Sequence, residues 1–349
     1  MCRTVIHVLT IWGQIVCLLD TLTSIFLYLQ GFTHYNTRVW FHAFPPRPLL
    51  AFFSQPSWDT VTNIPYWYRP HRSRTKHPIL FLHGIGLGVT AFTPLLRGLV
   101  AQDPDVGILA IEILPISMHI TAPPLARDAM CAAITRILNA HGLHRVVVVA
   151  HSYGTVLAAH LLRRQLGTAA APPSAEPPEE NHTNGRATSD AKGSDATIAA
   201  TLLIDPVTFL LHYPAVAYNF VYRQPRHADE WLMWYFASRD PDISRTLSRH
   251  LFWFESILFR EDVMGAGRDG RKKPYVAVSL AGRDRIVDAP AVRAYLTGEK
   301  EQDSGSPSRW GCDGLEVLYF PELYHGSVLE CRALRSALLE VISRFVQPD

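Results

Sequence analysis

The chain has 349 residues, 48% of them hydrophobic and 18% charged, with 33 basic against 31 acidic side chains and a formal net charge of +2. That composition describes a globular rather than a disordered chain; the net charge says little about partners, and with no nucleic-acid-binding module in the sequence no nucleic-acid partner is expected. Five scattered cysteines, Cys2, Cys17, Cys131, Cys312 and Cys331, lack both disulfide-framework and metal-ligand spacing, so a reducing compartment and no structural metal are expected.

The first organised stretch is apolar, from Val5 to Leu29, interrupted by His7, Gln14 and Asp20. It is long enough to cross a hydrocarbon layer, which needs about 20 residues, although an aspartate within a span costs roughly 2.5 to 3.5 kcal/mol. It is too long for a removable signal peptide, and an interfacial helix would keep Asp20 wet. Membrane association through residues 5–29 is the expectation. Arg38 and Arg47 after the segment outnumber Arg3 before it, which would leave the remaining chain cytosolic. Residues 1–59 thus read as a hydrophobic segment and a Pro- and aromatic-rich connector.

The region 60–346 reads as one folded unit. Thr60 to Tyr68 is strand-like and is followed by a basic cluster, Arg69, Arg72, Arg74 and Lys76 with His71 and His77, read as a solvated hairpin or a contact for anionic headgroups. The strand Pro78 to His83 runs into Gly84-Ile85-Gly86, and Gly107 to Ile113 is a further buried strand. Thr121 to His141 has helical periodicity, with Thr121 as cap, Pro123 in the first turn and Gly142 as the stop. Arg145 to Gly154, R-V-V-V-V-A-H-S-Y-G, then predicts a strand, a sharp turn and a helix start, with Ser152 at the apex and small residues two positions either side, Ala150 and Gly154. The helix is expected over Thr155 to Leu166.

Residues 167–196 are rich in Ala, Pro, Ser, Glu, Gly and Asp and are expected to form a flexible insertion. Ala199 to Asp205 and Tyr275 to Ala281 are buried strands. Between them, residues 206–274 are dense in aromatic and aliphatic side chains and are expected to form a helical cap, with Trp231 and Trp234 contacting substrate. Leu315 to Phe320 is the last strand and Ser327 to Val346 the last helix, its apolar face carrying Leu334, Leu338, Val341, Ile342 and Phe345. Strands alternating with helices predict an α/β fold, a mostly parallel sheet covered on both faces.

In chain order these motifs are His83-Gly84-Ile85-Gly86 after an early strand, Ser152 in the turn, aspartates after later strands and His325 in Y-H-G after the last. This order resembles the α/β-hydrolase superfamily over residues 60 to 346. Within it, L-L-I-D-P-V at 202 to 207 followed by an aromatic cap is similar to uncharacterised fungal membrane-associated hydrolases. The resemblance implies Ser152 as nucleophile, His325 as base and Asp284, three residues past the strand Tyr275 to Ala281, as the acid, with Asp205 the competitor and Asp288 a third choice. It also implies an oxyanion hole from the backbone N–H groups of Ile85 and Tyr153. A serine hydroxyl needs an imidazole to take its proton, and the imidazole needs a carboxylate to fix its tautomer. The expected protein is therefore a cofactor-free, metal-free serine hydrolase, esterase- or lipase-like, that cleaves an ester or thioester of a hydrophobic or lipid substrate. Acyl transfer on the same triad and a non-catalytic binding protein of this fold are the alternatives.

Overall fold

The computed structural model describes residues 49–50, 52–53, 56–117, 121, 123–168, 196–265, 273–299 and 306–348. The apolar stretch 5–29 and nearly all of the compositionally biased stretch 167–196 lie outside these residues. Among the described residues, no helix is long and apolar enough to cross a membrane.

Among the described residues, nine strands form one sheet: β1 (Ser57–Trp58), β2 (Pro65–Arg69), β3 (Ile79–Leu82), β4 (Ile108–Ile111), β5 (Arg145–His151), β6 (Thr197–Ile204), β7 (Tyr275–Ala281), β8 (Ser308–Cys312) and β9 (Leu315–Phe320). Their order is β1-β2-β4-β3-β5-β6-β7-β9-β8. β1, β2 and β8 are antiparallel to their neighbours, and the six strands between them run parallel. The long helices are α1 (Thr93–Gln102), α2 (Arg127–Ala140), α3 (Gly154–Gln165), α4 (Pro241–His250), α5 (Ala289–Thr297) and α6 (Arg332–Phe345).

The continuous β-branched runs follow from burial on both faces. Along β5, Val146, Val148 and Ala150 pack against α2 and α3 through Met130, Ile134, Ile137, Val156 and Leu162. Val147 and Val149 point the other way, toward Leu95, Leu96 and Leu99 of α1 and Leu338, Val341, Ile342 and Phe345 of α6. With both faces dry, the sheet leaves its strand ends for chemistry, and the loops at the carboxyl ends of β3, β5, β6, β7 and β9 gather at one edge.

Several expected boundaries move for local reasons. The first strand does not run through Thr60 to Tyr68: Asp59 accepts the Thr62 N–H at 2.8 Å and Asn63 takes φ 55°, so the start of the stretch is the turn between β1 and β2, and the strand begins at Pro65. The basic cluster is not a hairpin tip, because β2 pairs with β4 rather than β3. Its Arg69 donates to the Pro104 carbonyl at 2.7 Å and Lys76 pairs with Asp103 at 2.7 Å. α2 begins at Arg127, not Thr121: residues 123–126 are not helical, and Pro124 pushes the residue before it out of helical geometry. Thr121 instead ties to the cap, its N–H on Asp242 at 3.1 Å and its carbonyl on Arg245 at 3.1 Å. The last helix is interrupted at Cys331, which is extended (φ −71°, ψ 107°), and Arg335 takes up the freed carbonyl of Leu329 at 2.7 Å.

Between β6 and β7, residues 206–265 fold as short helical pieces above the sheet edge. They include α4 and two π-helical turns, Tyr218–Tyr222 and Trp234–Ser238, a geometry concentrated at functional sites.

Candidate active site

Ser152 sits where β5 stops and α3 starts, at φ 50°, a left-handed conformation that a serine adopts only when its surroundings impose it. Those surroundings are visible. The Ser152 N–H donates to Ile204 on β6 at 3.0 Å, while its carbonyl accepts both the Thr155 N–H at 2.9 Å and the Thr155 hydroxyl at 2.6 Å. Gly154 allows the turn to pack, since a Cβ there would lie 2.2 Å from the Leu82 carbonyl oxygen. Ala150, the departure from glycine two residues before the serine, is fully buried in the sheet face that meets α2 and α3.

The loop after β3 reaches the same point. A Cβ on Gly84 would come within 2.8 Å of the Ser152 Cβ and of His151 Nδ1, so only glycine lets this loop lie against the elbow. His83 beneath it is fully buried and braces the loop: Nε2 accepts the Ile113 N–H at 2.8 Å, which leaves Nδ1 to donate to the Gly84 carbonyl at 2.7 Å. Gly86 is held by its own N–H on the Ile116 carbonyl at 2.9 Å. Neither the Ile85 nor the Tyr153 N–H has an acceptor among the described residues, although those of Gly86 and Ser152 beside them do.

His325 follows β9. Its Nδ1 lies 2.6 Å from Asp284 Oδ2, and its Nε2 is buried with no hydrogen-bond partner among the described residues. Asp284 is fixed in turn by the N–H groups of Ile286 at 2.7 Å and Val287 at 3.0 Å, both on Oδ1. Burial works against a charged His325, but the Asp284 carboxylate, by charge and hydrogen bond, together with Asp205, outweighs it and pushes the ring up to about 9.

Asp205, the competing acid, is 1% exposed and has a different job: Oδ1 accepts the Ala281 N–H at 2.9 Å and Oδ2 accepts the Gly326 N–H at 2.7 Å. It clamps the His325 loop to the end of β7. Burial pushes its carboxyl up to about 6, with Asp284 adding to the rise and His325 opposing it. Asp205, Asp284 and His325 bring ligand-type atoms within 4.8 Å of one another. Each of the four carboxylate oxygens already accepts an N–H, so the cluster is a hydrogen-bonded network rather than a cation cage. Asp288, the third choice, caps α5 through the Ala291 N–H at 3.1 Å.

Two cavities meet at Ser152, and Ile85, Phe220 and Ile286 border both. One, of about 540 Å³, contains His325, His151, Glu230, Arg285 and Tyr324. The other, of about 350 Å³, is walled by Val207, Leu211, Val216, Val221, Leu247 and Leu251. Trp231 and Trp234 are not among the residues lining either cavity. Trp231 stacks on Tyr235 with ring centroids 5.5 Å apart, Trp234 meets Tyr235 edge-on at 5.0 Å, and Arg239 covers Trp234 at 4.5 Å. Their neighbours Glu230, Met233 and Ala237 face the larger cavity instead.

Sequence reasoning missed Glu230 and Arg285. The Glu230 carboxylate accepts the N–H groups of Arg226 at 2.7 Å and His227 at 3.0 Å, and pairs with Arg285 at 2.5 Å and Arg223 at 3.3 Å. Arg223 also donates to the Arg285 carbonyl at 2.9 Å, and Asn219 to the Ile286 carbonyl at 3.1 Å. The cap is thereby pinned to the loop that carries Asp284. No sequence signal joins partners 55 or more positions apart.

Comparison with known proteins agrees with this architecture. The chain resembles the naproxen esterase (carboxylesterase NP) of Bacillus subtilis, at 11% identity and TM-score 0.50 over 90% of this chain and 97% of that one. It also resembles a putative hydrolase of Bacillus subtilis, at 12% identity and TM-score 0.51 over 89% and 97%. No curated protein matches it. Residues 79–321, from the start of β3 to just past the end of β9, match the model of the alpha/beta hydrolase family, and the chain belongs to that family.

Proposed function

We propose that the protein is a serine hydrolase that cleaves a carboxylic ester or thioester of a hydrophobic substrate through an acyl-serine intermediate. The observation that carries this reading is the Asp284–His325 pair at 2.6 Å, with His325, whose Nε2 is buried and unpartnered, lining the same cavity as Ser152. Ser152 attacks the acyl carbonyl while His325 Nε2 takes its proton, and Asp284 holds the ring with Nδ1 protonated and stabilises the imidazolium. The N–H groups of Ile85 and Tyr153 hold the developing oxyanion. His325 then returns the proton to the leaving alcohol or thiol, and water, activated by the same ring, releases the acid. The apolar cavity takes the acyl chain and the polar cavity the leaving group. A lipid ester suits that division, and an apolar segment at 5–29 would keep the enzyme at a membrane.

A fluorophosphonate probe tests the reading, because it needs the same activated hydroxyl and the same oxyanion donors. Wild type should be labelled on Ser152, Ser152→Ala should take no label and His325→Ala almost none. Folded wild-type protein that remains unlabelled would remove the basis for an enzyme.

A further inference from the structure

The cap exposes aromatic side chains where a folded protein ordinarily hides them. Six of the nine exposed large aromatic residues among those described belong to two cap segments: Tyr213, Tyr218 and Tyr222 in one, Phe252, Trp253 and Phe254 in the other. The segments are neighbours, joined by a strand-like bridge between Phe209 and Leu258 and by the Leu258 N–H on the Thr208 carbonyl at 2.9 Å. Both border the 350 Å³ apolar cavity, and Tyr213 and Trp253, 56% and 52% exposed, also line it and so form its rim.

The exposure is built in. Arg163 of α3, itself 8% exposed, donates to the carbonyls of Phe254 at 3.1 Å, Glu255 at 3.3 Å and Ile257 at 3.4 Å, which fixes the backbone that carries the second aromatic group. The two segments carry four arginines: Arg223 pairs with Glu230 at 3.3 Å and Arg245 with Asp242 at 2.7 Å, which leaves Arg226 and Arg249 to meet anionic headgroups. Tyrosine and tryptophan suit the boundary between headgroups and acyl chains, and arginine suits anionic headgroups.

We propose that these two segments form a docking surface for an anionic lipid bilayer and open the apolar cavity directly onto it. Docking itself is independent of the hydrolase reading; the consequence for catalysis, that an acyl chain enters from the membrane without crossing water, rests on it.

The test uses the full chain with Ser152→Ala, so that hydrolysis plays no part, and vesicles of phosphatidylcholine with about 30% phosphatidylserine bearing brominated acyl chains. In a Phe252→Trp variant, the fluorescence added over the parent should be quenched by roughly half or more on these vesicles, as for an indole at the acyl boundary. In the active chain, Phe252→Ser with Tyr222→Ser should slow hydrolysis of an ester packed in the same vesicles about tenfold, and change hydrolysis of a short ester in water less than about twofold. An added indole that stays unquenched, or one already shielded without vesicles in a dimer, overturns the proposal. Quenching in a protein that hydrolyses neither ester leaves the surface standing and removes the hydrolase reading instead.

Discussion

The active cavity has two walls made in opposite ways. The sheet edge is a network of short, directed hydrogen bonds, in which Ser152, Asp205 and Asp284 are fixed by backbone groups of neighbouring strands and loops, and His325 by Asp284. The cap opposite is a set of short helical pieces whose contribution is apolar area, with Glu230 its one buried carboxylate on the cavity. The difference teaches where sensitivity lies. A directional network fails when one atom changes, whereas an apolar wall responds to volume and tolerates substitutions of similar size.

The largest expected effects are therefore on the edge. Ser152→Ala and His325→Ala should each lower kcat by about a million-fold and Asp284→Asn by about thirty-thousand-fold, as for the corresponding groups of a serine protease, measured on a chromogenic ester. Asp205→Asn should act through the fold. Losing one of its two carboxylate acceptor oxygens at a buried site costs about 1–3 kcal/mol, read by denaturant unfolding, while turnover falls far less than for Asp284→Asn. The reverse ranking of the two aspartates would mean that His325 takes its partner from β6.

Smaller in size, the pH dependence separates the network from a lone histidine. His325 works as a base only when neutral, and its neighbours raise it to about 9, so kcat/KM should climb about tenfold per unit from pH 6 and level off near 9. Asp284→Asn removes the first attractive charge and should move the inflection to lower pH. For stability the sign runs the other way: the pair's contribution is complete below the unfolded histidine value, about 6.5, and is lost as pH rises through 9. An inflection near 6.5 in both proteins would mean that Asp284 does not couple to the base.

On the cap, Val216→Phe reduces the volume of the apolar cavity and should cut kcat/KM for long acyl chains about tenfold, leaving short ones near wild type. The smallest effect is expected at Trp234. Trp234→Ala should lower stability, through loss of its contacts with Trp231, Tyr235 and Arg239, without moving the chain-length optimum. A shifted optimum would return Trp234 to the substrate site.

The same division governs what could be read from the chain alone. The edge was legible because its demands are local: Val146 to Val149 can only be a buried strand, Gly154 and Gly84 mark close approaches, and Asp284 and His325 stand a few residues past strands recognisable by composition. The cap was not, because which of its aromatic residues face the cavity depends on how short helices pack. Aromatic density marked Trp231 and Trp234, and packing turned Glu230, Met233 and Ala237 inward instead. The strand β8 escaped notice although its turn was written in the sequence. Asp313 and Gly314, at φ 47° and 84°, form the tight connection to β9 that an Asp-Gly pair favours.

The most direct test of the central claim is the acyl-enzyme itself. Wild-type protein mixed with a p-nitrophenyl ester, quenched in acid within the first turnover and digested should carry the acyl mass on the peptide containing Ser152, with a matching burst of p-nitrophenol. Turnover of the ester by folded protein with no acyl group on Ser152 at any time would contradict the account.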